Sequence, residues 1–188
     1  FSQQPTAAVA GVSIAPAVTV TGLDAGSNPV PNVVVTLSVV TGPLDATLND
    51  ASATTNASGV ATFTGLSATV AGTYTIRATS GAVQSAASNS FVISPAAAAA
   101  LAMRTQPTGG TAGGQVTPTV QVEARDQFGN LATGYTDQVQ LDVATGPVGG
   151  SLSNNSTSAV GGIATFTGMT VSTAGVYTLA ASATGLLG

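Results

Sequence analysis

Gly59-Val60-Ala61-Thr62-Phe63-Thr64-Gly65-Leu66 returns 103 residues later as Gly162-Ile163-Ala164-Thr165-Phe166-Thr167-Gly168-Met169. At the same offset Ala71-Gly72-Thr73-Tyr74-Thr75-Ile76 returns as Ala174-Gly175-Val176-Tyr177-Thr178-Leu179. Gln4-Pro5-Thr6 reappears as Gln106-Pro107-Thr108, and Thr41-Gly42-Pro43 as Thr145-Gly146-Pro147. The slips of one residue between these pairs are loop insertions. A repeat of about one hundred residues is the size of a small domain, so a chain of 188 residues reads as one unit written twice. The expected division is a domain over 1–95, an alanine-rich linker over 96–100 and a second domain over 101–188. Five residues are too few for a stable helix. The alanine run is therefore expected as a semi-extended connector into a first strand at Leu101 to Thr105.

Within each copy the hydrophobic pattern has a period of two. Val18 and Val20 alternate with Thr19 and Thr21; Val33, Val35, Leu37 and Val39 alternate with Val34, Thr36 and Ser38. Ala61 with Phe63, Tyr74 with Ile76 and Ala78, and Phe91 with Ile93 mark three further strands. Turn signals separate them: Asp24 to Pro29, Thr41-Gly42-Pro43, Asn56 to Gly59 and Ala71-Gly72. Short alternating strands with regular turns predict an antiparallel sandwich. A tyrosine just after a tight Ala-Gly turn, at the start of the penultimate strand, matches the tyrosine corner of immunoglobulin-like sandwiches. Tyr74 and Tyr177 both hold that place. The fold expected is all-β, two tandem immunoglobulin-like β-sandwich domains, with Phe63, Phe166, Phe91 and Ile93 among the structural anchors.

Composition removes most chemistry. The chain has no Cys, His or Trp, and Arg77, Arg104 and Arg125 are its only cationic side chains. Disulfides, Cys/His zinc sites and histidine acid–base catalysis are excluded. A net charge of −4 with three scattered arginines makes no basic stripe for nucleic acid. No run of about 18 apolar residues suggests membrane insertion. Hydrophobic residues at 44% supply a core, and charged residues at 5% leave a surface insensitive to salt. Few protease sites and little charge suit an extracellular or cell-surface setting.

The segments Gln3-Gln4-Pro5-Thr6, Ala10-Gly11, Pro16-Ala17-Val18-Thr19-Val20, Asn28-Pro29-Val30-Pro31 and the two repeated elements resemble bacterial Ig-like tandem repeats of the invasin/intimin type. The second copy carries Asp126-Gln127-Phe128-Gly129-Asn130 where that family commonly has Asp-x-x-Gly-Asn; the first departs, with Asp24-Ala25-Gly26-Ser27-Asn28. The resemblance covers essentially the whole chain. It implies a structural repeat of an extracellular fibre, filament or stalk, non-catalytic and without cofactors. The partners so implied are neighbouring repeats or other copies of the chain. The alternatives are an adhesin or carbohydrate-binding module, whose host or glycan ligand is unknown, and a phage virion decoration or fibre protein.

Candidate sites are few. Asp24, Asp126 and Asn130 offer oxygens for calcium, although an Asx-turn role is the simpler expectation. Glu123 and Asp142 are expected on solvated strand faces rather than as a catalytic carboxylate pair. Tyr135 and Phe128 are the aromatics left over for ligand contact, Phe128 with a domain-junction plug as its competing role. Asn56, Asn154 and Asn155 begin glycosylation sequons, which Ser/Thr-rich loops also produce by chance. Without lysine no Lys–Asn isopeptide can form.

The alignment of the copies also places Phe1 opposite Met103, inside a first strand, and leaves the second copy without a counterpart of Ser88 to Ile93. Burying side chains such as Phe91 and Ile93 is worth roughly 3–6 kcal/mol. Three readings stand for an open edge of that kind: a following segment of a longer tandem array closes it, strand addition from a neighbouring subunit closes it, or the domain is irregular at its end and lacks the strand.

Overall fold

A computed structural model of the chain describes residues 1–186. The chain divides into two compact units, Phe1–Pro95 and Ala96–Gly188. Both are β-sandwiches, and no helix among the described residues is long and apolar enough to cross a membrane.

The first unit contains β1 (Ala8–Val9), β2 (Val18–Thr21), β3 (Val34–Thr41), β4 (Ser52–Thr54), β5 (Val60–Phe63), β6 (Gly72–Ser80), β7 (Val83–Gln84) and β8 (Phe91–Ser94). One sheet runs β1-β8-β6-β3-β4, with β7 also on β6; the other is β2-β5. Burial alternates as the period-two pattern requires: Val18 and Val20 are buried while Thr19 and Thr21 are not, and β8 alternates from buried Phe91 to exposed Ser94. The inward set, including Val35, Leu37, Phe63, Leu66, Tyr74, Ile76, Phe91 and Ile93, forms one core. Near the start of the chain, Ser2 and Gln3 donate their N–H groups to the Thr19 carbonyl, so the opening residues lie along β2.

The second unit contains β9 (Ala100–Thr105), β10 (Val120–Arg125), β11 (Gln138–Thr145), β12 (Leu152–Ser153), β13 (Ser156–Ser158), β14 (Ile163–Phe166), β15 (Thr170–Val171) and β16 (Thr178–Ser182). Its sheets are β14-β10-β9, β13-β11-β16 and a β12-β15 pair. Val120, Val122, Val139, Leu141, Ala164, Phe166 and Met169 build its core. The short strands β4 and β13 carry no apolar alternation, which is why the sequence pattern passes over them.

The alanine run is not a free connector. Ala96 donates its N–H to Asp126 Oδ2 at 2.9 Å, Ala99 donates to the Arg125 carbonyl at 2.7 Å, and Ala100 opens β9. The end of β10 presents unpaired backbone groups there, and pairing them satisfies donors that a five-residue coil would leave to water. Only Pro95 separates Ser94 in β8 from the first of these bonds.

The two units differ beside their penultimate strands. Residues 72–74 of β6 pair with β8 through Gly72↔Ile93, Thr73↔Val92 and Tyr74↔Phe91. Their counterparts, Gly175, Val176 and Tyr177, lie outside β16, which begins at Thr178. No described strand takes β8's place in the second unit.

Candidate functional site

Asp126 sits at the turn after β10 and is almost fully buried. Its Oδ1 accepts the N–H groups of Phe128 and Asn130, each at 2.9 Å. Its Oδ2 accepts the Asn130 side-chain amide at 2.8 Å and the Ala96 N–H. Burial pushes this carboxyl upward, but the Asn130 side chain and the Ala96, Asn130 and Phe128 N–H groups outweigh it and hold the acid below its ordinary value. The first unit repeats the turn on the surface. Asp24 Oδ1 accepts from Gly26 and Asn28, each at 2.8 Å, and Oδ2 from the Asn28 side chain at 3.1 Å. Donors from the Asn28 backbone and then its side chain lower this acid too. Calcium does not fit: the carboxylate oxygens of Asp126 already face four N–H donors, and the amide that Asn130 turns toward them is itself a donor. Both aspartates close Asx-type turns.

The two tyrosines occupy corresponding corners. Tyr74 is fully buried, donates its hydroxyl to the Val70 carbonyl at 2.6 Å and stacks on Phe91 with ring centroids 5.6 Å apart. Burial raises its pKa above the ordinary tyrosine value. Tyr177 donates to the Thr173 carbonyl at 2.7 Å but is only half-buried. Phe63, Ile93 and Phe166 are buried in their respective cores.

Glu123 departs from the solvated face expected of it. It is 8% exposed and lies between Arg104, at 3.3 Å, and Arg125, whose Nε donates to Oε1 at 2.7 Å. Two half-exposed arginines flank the carboxylate, and their charges compensate its burial. Asp142 stands on β11, in another sheet, and accepts from the exposed Gln140 side chain at 2.8 Å. The two carboxylates share no site. Among the described residues no group of three or more His, Cys, Asp or Glu stands together.

Neither spare aromatic forms a flat platform with the other. Phe128 is partly exposed at the tip of the Asp126 turn. Tyr135 packs against the second core, and its covered hydroxyl has no hydrogen-bond partner among the described residues. Burial, and then the charge of Asp137, raise its pKa. Its ring serves packing, not an open binding face.

A concavity of the second unit lies beside β16. A cavity of about 280 Å³ is lined by residues 107–110, Val116, Met169, Val171 and residues 175–177 with Leu179. Its walls are the segment matching β1 and the segment matching the start of β6, the two neighbours that flank β8 in the first unit.

No family model and no curated protein matches the chain. Two solved structures are similar to it. One is the Yersinia pseudotuberculosis adhesin InvE, 19% identical, with a TM-score of 0.42 over 89% of this chain and 48% of that one. The other is Yersinia pseudotuberculosis InvD, 13% identical, with a TM-score of 0.43 over 93% of this chain and 52% of that one. The chain spans about half the length of each.

Two features escape the sequence pattern. The Arg104–Glu123–Arg125 cluster joins residues of neighbouring strands through a register that periodicity does not specify. The only hint is that Glu123 replaces Thr21 of the first copy in a chain nearly without charge. The bond from Ala96 to Asp126 joins residues thirty apart, and the sequence signal for it is the Asp-x-x-x-Asn spacing alone.

Proposed function

We propose that the chain is a structural repeat segment of an extracellular or cell-surface fibre, filament or stalk, and that it acts mechanically rather than catalytically. The observation that carries this reading is the joint. The same sandwich occurs twice in tandem, and Pro95 alone stands between the last strand of one unit and the first hydrogen-bonded residue of the next. Loops between elements of compact domains typically run to about 4–6 residues, so a one-residue joint leaves little slack to be drawn out under load. The outward faces of β3 and β11 carry Thr, Ser and Gln beside Val34, Val40 and a single charge, Asp142, and so little charge allows neighbouring shafts to approach. Asp24 and Asp126 are consumed by turns and Glu123 by its two arginines, which favours a non-enzymatic role.

Electron microscopy of the native particle tests the proposal. Filaments or stalks with a beaded repeat are the expected result, and isolated globules would overturn it.

A further inference from the structure

The outward faces of β3 with β6 and of β11 with β16 are one ladder built twice. In the first unit Thr36 pairs with Thr79, Ser38 with Arg77 and Thr41 with Thr75, with an irregularity between Val39 and Thr41. In the second, Gln140 pairs with Ser182, Asp142 with Ala180 and Thr145 with Thr178, with the irregularity at the matching place, between Val143 and Thr145. Even the hydroxyl bond at the end of the ladder recurs, Thr41 to Thr75 at 2.7 Å and Thr145 to Thr178 at 2.6 Å. The charges set the two faces apart. The outward pair in the middle of the ladder is Ser38 with Arg77 in one unit and Asp142 with Ala180 in the other. Arg77 and Asp142 are the only charged residues in the strands of their sheets. One face thus carries a single positive charge and its structural twin a single negative one. Neither charge meets its opposite among the described residues. Arg77 Nη1 donates to the neutral Gln84 Oε1 at 3.2 Å, and its covered Nε has no hydrogen-bond partner. The other two arginines, by contrast, both pair with Glu123. Asp142 is exposed and accepts from neutral groups, the Gln140 amide at 2.8 Å and the Ser182 hydroxyl at 3.4 Å.

We propose that the outward face of β3 and β6 docks on the outward face of β11 and β16 of a second copy of the chain, with Arg77 set against Asp142. This rests on the fibre reading above, since packed shafts hold copies at high local concentration. The side chains around the two charges are small or neutral: Val34, Thr36 and Val40 on the first face, Gln140, Ala180 and Ser182 on the second. They let two sheet faces approach and supply the contact area, while the charges decide which face meets which. Two first-unit faces would oppose Arg77 to Arg77, and two second-unit faces Asp142 to Asp142. Only the mixed pairing brings opposite charges together. Each copy carries one face of each kind, so the same contact repeats from copy to copy.

Sedimentation equilibrium of the 188-residue chain in dilute buffer tests the pairing, alongside Arg77→Asp, Asp142→Arg and the chain carrying both changes. Each single reversal sets like charges face to face and should weaken self-association by about tenfold. The double reversal recreates an opposite pair and should restore the parent's association. A second measurement needs no charge variant. The chain has no cysteine, so a nitroxide on Ser52→Cys, in β4 beside Thr36, labels the first face alone. Mixed with an isotopically labelled parent, it should broaden the amide signals of Gln140, Asp142 and Ala180 and spare those of β9. A parent that stays monomeric overturns the proposal, as does a folded single reversal that associates like the parent, a double reversal that does not recover, or broadening that misses β11 and β16. Failure of the fibre reading appears as isolated globules in micrographs of the native particle, whereas this contact fails through the charge reversals in solution, so the two failures are distinguishable.

Discussion

Tyr74 and Tyr177 make the same corner bond in different surroundings, and the difference is measurable. Tyr74→Phe removes a buried hydroxyl and leaves the Val70 carbonyl unsatisfied, which should cost about 1 kcal/mol. Tyr177→Phe should cost clearly less, because Tyr177 is half-buried and water can replace the lost donor at Thr173. Urea titration of the two variants against the parent checks the ordering. Asp126 makes a prediction of opposite character. Its pKa in the folded chain lies below the ordinary 3.8, so the ionised form is the one that folding favours. Its contribution is therefore complete above about pH 4 and is lost as pH falls through the lowered value. The second unit should weaken in that acid window, and Asp126→Asn should flatten the dependence; thermal melts between pH 2 and pH 5, on the order of the carboxylate range, would reveal both. The role of Asp126 as a turn-former is legible in the spacing to Asn130. That it also holds Ala96 is not, because that bond depends on where β10 ends in space.

At the scale of elements, the strands rich in Val, Ile and Phe follow the alternation of the sequence almost residue for residue. Val18–Thr21 and Phe91–Ser94 are examples. The strands of Ser, Thr and Ala do not announce themselves, since they bury little and form by pairing with a better-defined neighbour: β4 on β3, and β13 on β11. The alanine run belongs to this second kind. Held by Asp126 and Arg125, it should resist elastase, which cuts after small residues. Asp126→Ala should raise cleavage within residues 96–99 on the order of tenfold, given the strength of hydrogen bonds to a charged acceptor. An unchanged cleavage rate, with the unit still folded by circular dichroism, would mean that the β9–β10 pairing holds the run without the carboxylate.

At the scale of the whole molecule, the two units share a pattern and keep separate cores. The first buries Phe91 and Ile93 in its core, with Phe91 stacked on Tyr74. Phe91→Ala should therefore lower the urea midpoint of the first unit by the equivalent of about 3–5 kcal/mol while leaving that of the second in place. Tyrosine fluorescence, undisturbed by tryptophan, reads both. The repeat, the all-β class, the inward residues and the lack of histidine or cysteine chemistry were fixed by sequence, because a period of two and a period of one hundred are properties of the linear chain. Two things came only from the folded arrangement: the Arg104–Glu123–Arg125 cluster and the capture of Ala96 by Asp126. Each depends on which backbone edges are brought within hydrogen-bonding reach, and that is settled by packing in three dimensions rather than by the order of side chains.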